Sequence, residues 1–525
     1  MKACQTALGE SIMFARWLRS KKHIEPQTVQ KAPSTSTPIS PNLKANIDYI
    51  EQIVGYSSDI IIRESMFNAI GRPMAIVYTD GLVDVTIIND FIMRSLMSES
   101  ILADPEDDPL TIMESFTLAI GEINQISDME RVLNHVLSGD SVIFVEGSAI
   151  ALAANTKGWK DRGVSETSVE TVIRGPREAF SESIRTNSAL IRRKIKDPNL
   201  WLETFRIGNV TKTDMILIYI KGVARESLIA EVRRRLNSIQ IDGVFESSNI
   251  EEIIQDQQIT VFPTLYNSER PDVIAMELMQ GKIAILVDGT PFVLIAPALF
   301  ETFLKASEDY YHRVDISTLI RMLRYAGFLI ALLAPSLYVA ITTYHQEMIP
   351  TSLLISLSAQ REGTPFPAFI EALMMEVTFE VLREAALRMP RSIGSALSFV
   401  GTLVIGQAAV EAGIISAAMV IVVSITAICS FVFPSYDLSN AIRILRFPMM
   451  ALAASFGLVG IFVGLLVLVM HLNSLQSFGV PYLSPFAPLE LDRQRDAMFR
   501  LPFQRTFSRI SQISKKNEEA KRKPQ

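Results

Sequence analysis

Between Pro365 and Pro390 acidic and basic residues recur at a spacing that could do chemistry. Glu371, Glu376, Glu380, Arg383, Glu384 and Arg388 punctuate an otherwise apolar, helix-forming stretch. Positions 376, 380, 384 and 388 advance by four, so on a helix they form one slowly drifting stripe. Phe369, Leu373, Val377, Phe379, Val381 and Leu382 fill most of the remainder. Such a row of carboxylates can line a hydrated path for cations, repeated by each copy of an oligomer. The plainer reading is an interfacial or re-entrant helix in which Glu384 and Arg388 pair at i,i+4 and hold a bundle together. Both readings need surrounding elements, because each carboxylate on a lone helix in lipid would cost at least ~2.5 kcal/mol.

Other chemistry is not signalled. Gly281-Lys282 lacks the rest of a phosphate loop, and neither His-Glu-x-x-His nor Gly-x-Ser-x-Gly occurs. The five histidines (His23, His135, His312, His345, His471) show no metal-ligand spacing. Cys4 and Cys429 are too few for a disulfide framework. Asp104, Glu106, Asp107 and Asp108 read as a solvated loop. A net charge of −6 without a basic stripe argues against nucleic acid. We expect no enzyme, no metal and no cofactor.

The elements that must hold the stripe are apolar. Residues 325–344, 412–434 and 447–470 carry no charge, and each matches the ~20 residues a helix needs to cross a hydrocarbon core of ~30 Å. Residues 395–410 are apolar but crowded with small side chains, Gly401 and Gly406 among them, and lead to Glu411 and Gly413. Small residues let backbones approach, so these glycines are expected to pack helices inside a bundle, with Glu411 near a membrane boundary. Arg313, Arg321 and Arg324 precede the first span and the tail from 493 to 523 is basic, so both ends read as cytoplasmic. That requires an even number of crossings, yet 325–344, 366–388, 395–411, 412–434 and 447–470 make five. Three resolutions are open. Segment 366–388 does not cross and Arg443 and Arg446 lie outside, the tail lies outside, or 478–491 returns through the membrane.

The preceding residues read as water-soluble protein. Residues 1–25 mix apolar and charged positions and form no secretory signal core; they read as a tail, or as an amphipathic segment touching the membrane. Residues 26–42 are a Pro/Ser/Thr-rich linker. From 42 to 315 β-branched runs alternate with amphipathic helical patterns, with strands expected at 60–63, 74–78, 142–145, 215–220, 259–262, 283–287 and 292–295. An internal duplication is visible: Met74 to Val83 aligns with Met215 to Ala224 at an offset of 141, and Val136 to Ala154 with Leu278 to Ala296 at 142. Glu146-Gly147 and Asp288-Gly289 coincide and read as hairpin turns.

The expected fold is therefore a two-lobed α/β soluble domain with a duplicated lobe, followed by an all-α polytopic transmembrane bundle. Its divisions are a tail and linker (1–42), lobe 1 (43–155), a basic helical connector (156–202), lobe 2 (203–315), the membrane bundle (316–475) and a basic tail (476–525). In the connector, Gly175-Pro176 reads as a turn opening a helix. Arg174, Gly175, Pro176, Arg177, Glu178, Arg192 and Arg193 are candidates for docking a partner or neighbouring copy, or form a solvated helix face near the membrane.

Longer stretches carry a family resemblance. Residues 174–180 with 186–200, Gly281 to Pro297 (GKIAILVDGTPFVLIAP), Pro335 to Glu347 (PSLYVAITTYHQE), 371–419, and Ser477 to Pro488 (SFGVPYLSPFAP) resemble the A subunits of GerA-type spore germinant receptors. The resemblance runs from about 45 to 505. It implies a two-lobed soluble domain on a membrane bundle in the inner membrane of the spore, with the N-terminal domain cytoplasmic. It also implies a homo-oligomer partnered by a transporter-like B subunit and a lipoprotein C subunit, acting as a nutrient-gated cation channel that releases ions as germination starts. That favours the ion-path reading of Glu376, Glu380, Glu384 and Arg388, although no family motif marks pore-lining residues. A paralogous branch that amplifies ion release with another partner shares the resemblance. A non-conducting assembly scaffold is the rival from another class. A secondary transporter fits less well, because the duplication lies in the soluble part.

Overall fold

The structure is a computed structural model and describes residues 37–68, 71–93, 123–158, 167, 170–257, 259–388, 406–487 and 496–500. Residues 1–36, the acidic run 104–108, Gly401 and most of the basic tail lie outside these residues.

Helix α1 (Leu43–Val54), strands β1 (Ile60–Phe67), β2 (Arg72–Thr79) and β3 (Ile123–Ile126), helix α2 (Met129–Val136), and strands β4 (Ser141–Val145) and β5 (Ala151–Ala154) build the first lobe. Its sheet runs β1-β2-β4-β5-β3, every neighbouring pair antiparallel. The second lobe repeats it. Helix α3 (Ile184–Lys194), strands β6 (Leu200–Ile207) and β7 (Thr213–Ile220), helices α4 (Glu226–Asn237) and α5 (Ser247–Ile254), strand β8 (Tyr266–Ser268), helix α6 (Pro271–Met279), and strands β9 (Ile283–Val287) and β10 (Val293–Ala296) give a sheet ordered β6-β7-β9-β10-β8.

The repeat extends to individual bonds. Met74 lies opposite Val145, and Met215 opposite Val287. Asn46 exchanges hydrogen bonds with the Ser40 backbone, and Asn187 does the same with Ser181. Glu146 and Asp288 follow β4 and β9 in tight turns, as their glycines require. Their carboxylates also accept from the first amides of α1 and α3, Leu43 N–H at 2.7 Å and Ile184 N–H at 3.1 Å. An acidic group at a helix start satisfies donors that the helix leaves unpaired.

Alternation along β7 gives the second sheet two cores. Met215, Leu217 and Tyr219 pack towards α4 and α5. Ile216, Ile218 and Ile220 face α3 and α6, and that core continues without a break into the helical part.

Helix α3 and the start of β6 fall in the stretch expected to be a connector, yet both are built into the second lobe, α3 standing where α1 stands in the first. Gly175-Pro176 opens no helix. Residues 170–183 cross the second lobe as irregular backbone, and Arg270 takes the Glu170 and Pro176 carbonyls at 3.2 and 3.0 Å. Residues 259–262 are not a strand either: Thr260 Oγ1 accepts from Phe262 N–H and pairs with His471 Nε2 at 3.1 Å. The lobes meet at a buried clamp. Arg192 reaches both oxygens of Asp59 at 2.8 and 3.0 Å, and Trp201 lies against Gly55, where a side chain would have no room.

The helical part comprises α7 (Val314–Thr343), α8 (Thr351–Arg361), α9 (Ala368–Arg388), α10 (Gly406–Glu411), α11 (Ala417–Ser430) and α12 (Tyr436–Ser474). Two of them, α7 and α12, are long and apolar enough to cross a membrane. Helix α7 leaves the second lobe, where Asp309 binds Arg321 and Arg324, and ends distally at Tyr344. Helix α11 returns beside it, Ser416 near Tyr338 and Cys429 near Gly327. Helix α9 also runs back towards the lobe, from Glu371 at Ser416 to Arg383 at Tyr436.

Helix α12 is not one rod. Gly457 (φ +61°, ψ −140°) breaks it, and a β-carbon on Gly460 would fall 2.2 Å from the Leu452 carbonyl oxygen, eight residues back. Gly464 likewise abuts Met449. Asp437 and His471 bind Asn267 and Thr260 of the same lobe segment, whereas a straight helix would separate them by about 50 Å. The chain therefore doubles back, with limbs 436–456 and 458–474 and a tip held by Tyr344, whose hydroxyl donates to Ala454 O at 2.7 Å. After α12, strands β11 (Gln476–Ser477) and β12 (Val480–Pro481) dock on the second lobe, Ser477 Oγ bridging Thr264 O and Ala298 N–H. Residues 478–487 therefore do not return through the bundle.

Candidate functional site: a carboxylate–arginine ladder

The charged stripe of α9 is brought against limb 436–456. Glu376 and Arg446 are both buried and meet at 2.5 Å. Arg446 Nε also donates to Ala331 O at 2.9 Å. That carbonyl lies four residues before Pro335, which has no N–H to give it, so the arginine fills a gap made by the proline. One turn along, Arg443 Nε binds Glu380 at 2.7 Å, and its Nη1 reaches Asn440 at 2.8 Å. Glu384 and Arg388 pair with each other at 2.6 Å in the exposed part of α9. Arg383 lies over the Phe431 and Tyr436 rings at 5.6 and 5.3 Å, a cation–π arrangement.

The four candidate positions are thus not four free carboxylate or guanidinium sites. Glu376 is spent on a three-helix junction and Glu380 on a two-helix pair. Between α9 and limb 436–456 a groove of about 550 Å³ stays open, lined by Glu380, Glu384, Arg388 and Arg443 with Val377, Val381 and Phe447. Deeper in the bundle, Glu371 is fully buried and accepts from Ser416 N–H and Oγ–H at 3.1 and 2.9 Å, fixing the start of α11. Among the described residues Glu376 Oε1 and Arg446 Nη2 have no partner, so the junction has polar capacity to spare.

The other candidates have separate places. A β-carbon on Gly406 would lie 3.4 Å from Val420, and Gly413, at φ +67°, faces the Gly363 carbonyl. Arg192 is 1% exposed and committed to Asp59, so it offers no docking charge to another chain. Glu178 holds Lys194 at 3.0 Å and Arg193 at 3.6 Å. Gly175 lies against the Tyr311 ring, and the Pro176 carbonyl is taken by Arg270. Arg174, Gly175 and Arg177 are the exposed members of that cluster. Arg321 and Arg324, read as charges flanking a span, are buried on Asp309, with Arg321 also binding Asp496 of the tail.

Arg443 and Arg446 carry the ladder yet were read only as charges near a span. The available signal was their i,i+3 spacing, which matches one face of a helix beside the four-residue spacing of the glutamates. Among the described residues, no group of three or more His, Cys, Asp or Glu is arranged to hold a metal ion.

The architecture is a duplicated two-lobed domain whose core runs into an apolar helical bundle with an internal charge ladder. The chain belongs to the Bacillus/Clostridium GerA spore germination protein family, whose model matches residues 48–512. It is 46% identical over 480 residues to "Spore germination protein KA" of Bacillus subtilis (strain 168), covering 91% of this chain and 88% of that one. It is 45% identical to the "Uncharacterized membrane protein YfkQ" of the same organism, covering 89% and 90%. The crystal structure of the N-terminal domain of the A subunit of the Bacillus megaterium spore germinant receptor GerK3 is similar at 39% identity, covering 51% of this chain and 98% of that one, with a TM-score of 0.42.

Proposed function

We propose that this chain is the A subunit of a nutrient germinant receptor of the spore inner membrane. In this reading it is a multi-pass protein with cytoplasmic lobes, and it oligomerises with a transporter-like B subunit and a lipoprotein C subunit into a nutrient-gated cation channel. Family membership supports the receptor assignment, and the doubled-back α12 supports the topology. Among the described residues, α7, α9, α11 and the two limbs of α12 make five passes, and Asp496 binds Arg321 at the lobe end of the bundle. The five passes read from the sequence took 447–470 as one and included 395–411.

The observation carrying the ion-path reading is the groove between α9 and limb 436–456. Its charges lie beside exposed Val377, Val381 and Ile444, and in lipid they need a covering partner. A neighbouring copy would enclose the groove as a path lined by Glu380 and Glu384. The test is single-channel conductance of the reconstituted receptor with Glu384→Gln and with Glu384→Cys before and after a positively charged thiol reagent. Lower cation conductance in assembled complexes is expected; unchanged conductance removes the groove from the path.

The non-conducting scaffold is favoured by a different observation. Glu376 and Glu380 are both neutralised by arginines, which would hold a bundle together without any path. Native mass spectrometry separates the two, since a monomer stable across mild detergents leaves the groove unenclosed.

A further inference from the structure

We infer that the rim of the second lobe formed by Ile253, Ile259 and Val261 sits in the lipid interface beside the foot of limb 458–474. The inference rests on the reading of the bundle as membrane-embedded. Ile259 is 94% exposed, and Val261 and Ile253 are exposed as well. They are turned outward because the residues between and after them are held inward. Thr260 binds His471, and Phe262 is buried with its ring 6.3 Å from His471 and 6.4 Å from Tyr482. His471 lies in the last turn of the limb, whose outward side chains just above are Val467, Val469 and Met470. Through the Thr260–His471 bond the rim is tied to the foot of that apolar outer face.

Length decides where lipid ends. From Gly457 to His471 the limb rises only roughly 21 Å, against a hydrocarbon core of ~30 Å. With the hairpin tip at the far boundary, the near boundary falls beyond His471, at the level of Ile259 and Val261. A short limb is accommodated by burying apolar residues that flank it, and β-branched side chains on an exposed loop suit that role better than contact with water.

The test uses full-length protein with Cys4 and Cys429 replaced by serine and an environment-sensitive fluorophore on a single cysteine. The sites are Ile259→Cys, Phe462→Cys on the limb and Met66→Cys on the first lobe, in nanodiscs of phosphatidylcholine with plain or brominated chains. Blue-shifted emission quenched by bromine is expected at 259 and 462, relative to 66. Quenching at 462 with water-like emission at 259 overturns the inference and leaves the membrane reading standing. Blue-shifted but unquenched emission at 259 means that protein covers the rim, and it overturns the inference as well. No quenching at 462 overturns the membrane reading and the inference together.

Discussion

Arg446 donates its Nε proton to the Ala331 carbonyl, the one that Pro335 deprives of a helical partner, while its Nη1 holds Glu376. One side chain thus repairs α7, neutralises α9 and fixes the first limb of α12. Removing it strands a buried carboxylate, so Arg446→Ala should cost about 3–5 kcal/mol. Replacing both charges, as in Glu376→Leu with Arg446→Met, should recover most of that and still leave the Ala331 carbonyl unpaired, at about 1–3 kcal/mol. Thermal unfolding in detergent should rank native above the double variant and the double variant above Arg446→Ala. The junction is not structural in this sense if the single variant proves the more stable of the two.

The clamp between the lobes is a second buried pair. Asp59 accepts from Arg192 and Ser57, and Leu202 N–H bonds Ser57 Oγ at 3.0 Å. Asp59→Ala should cost about 3 kcal/mol or more, and Arg192→Lys should not substitute, because an ammonium cannot span both carboxylate oxygens and the Leu200 carbonyl. Hydrogen exchange at Ser58 and Leu202, whose amides close the lobe contact, should accelerate in both variants. Unchanged protection there would show that Trp201 on Gly55, and not the ion pair, holds the lobes.

What could be read in the sequence followed from periodicity, and what could not followed from chain direction. The repeat of the lobes was legible because β2 and β7 carry the same apolar alternation at one offset. Strands β5 (ALAA) and β8 (three residues) were not, since neither has a β-branched run long enough to register. Residues 259–262 have such a run, and tertiary contacts to His471 overrode it. The stripe on α9 was legible from its four-residue spacing. Its partners were not, because Arg443 and Arg446 lie some 60 to 70 residues away, and a loop and a helix start look alike before an apolar segment. Nor could composition distinguish one long crossing from two short ones. The reversal depends on the positive φ of Gly457 and the bare faces of Gly460 and Gly464, three glycines in a run where glycine is unremarkable.

Glu170 lies under the irregular strap of the second lobe, accepting from Ser268 Oγ at 2.7 Å. Burial pushes its carboxyl up to about 7 from 4.5, against the opposing effects of Ser268 and Arg270. The folded chain then binds more protons than the unfolded one across that window, so stability falls as pH rises from about 4.5 to about 7. Glu170→Gln keeps the acceptor and removes the charge. It should match the native protein below the window and exceed it above, by up to about 3 kcal/mol. Denaturant midpoints of both proteins on either side of the window check this; a difference that does not grow with pH refutes it.

The reversal at Gly457 makes the sharpest topological prediction. Tyr436 and Asn473 are exposed near the two feet of the hairpin and Ser455 near its tip. Single cysteines at 436, 473 and 455, in protein lacking Cys4 and Cys429, should divide between the membrane faces when treated with an impermeant maleimide. Positions 436 and 473 should label from the face that carries the lobes, and 455 from the other. A single crossing by α12 would instead place 436 and 473 on opposite faces. The same geometry ranks the glycines. A β-carbon at Gly460 meets backbone oxygen at 2.2 Å, which cannot rotate away, whereas at Gly406 it meets only a methyl of Val420 at 3.4 Å. Gly460→Ala should therefore force the limbs apart, at a cost of about 1–3 kcal/mol, and expose position 455 to reagent from a loosened tip. Gly406→Ala should leave both readouts unchanged.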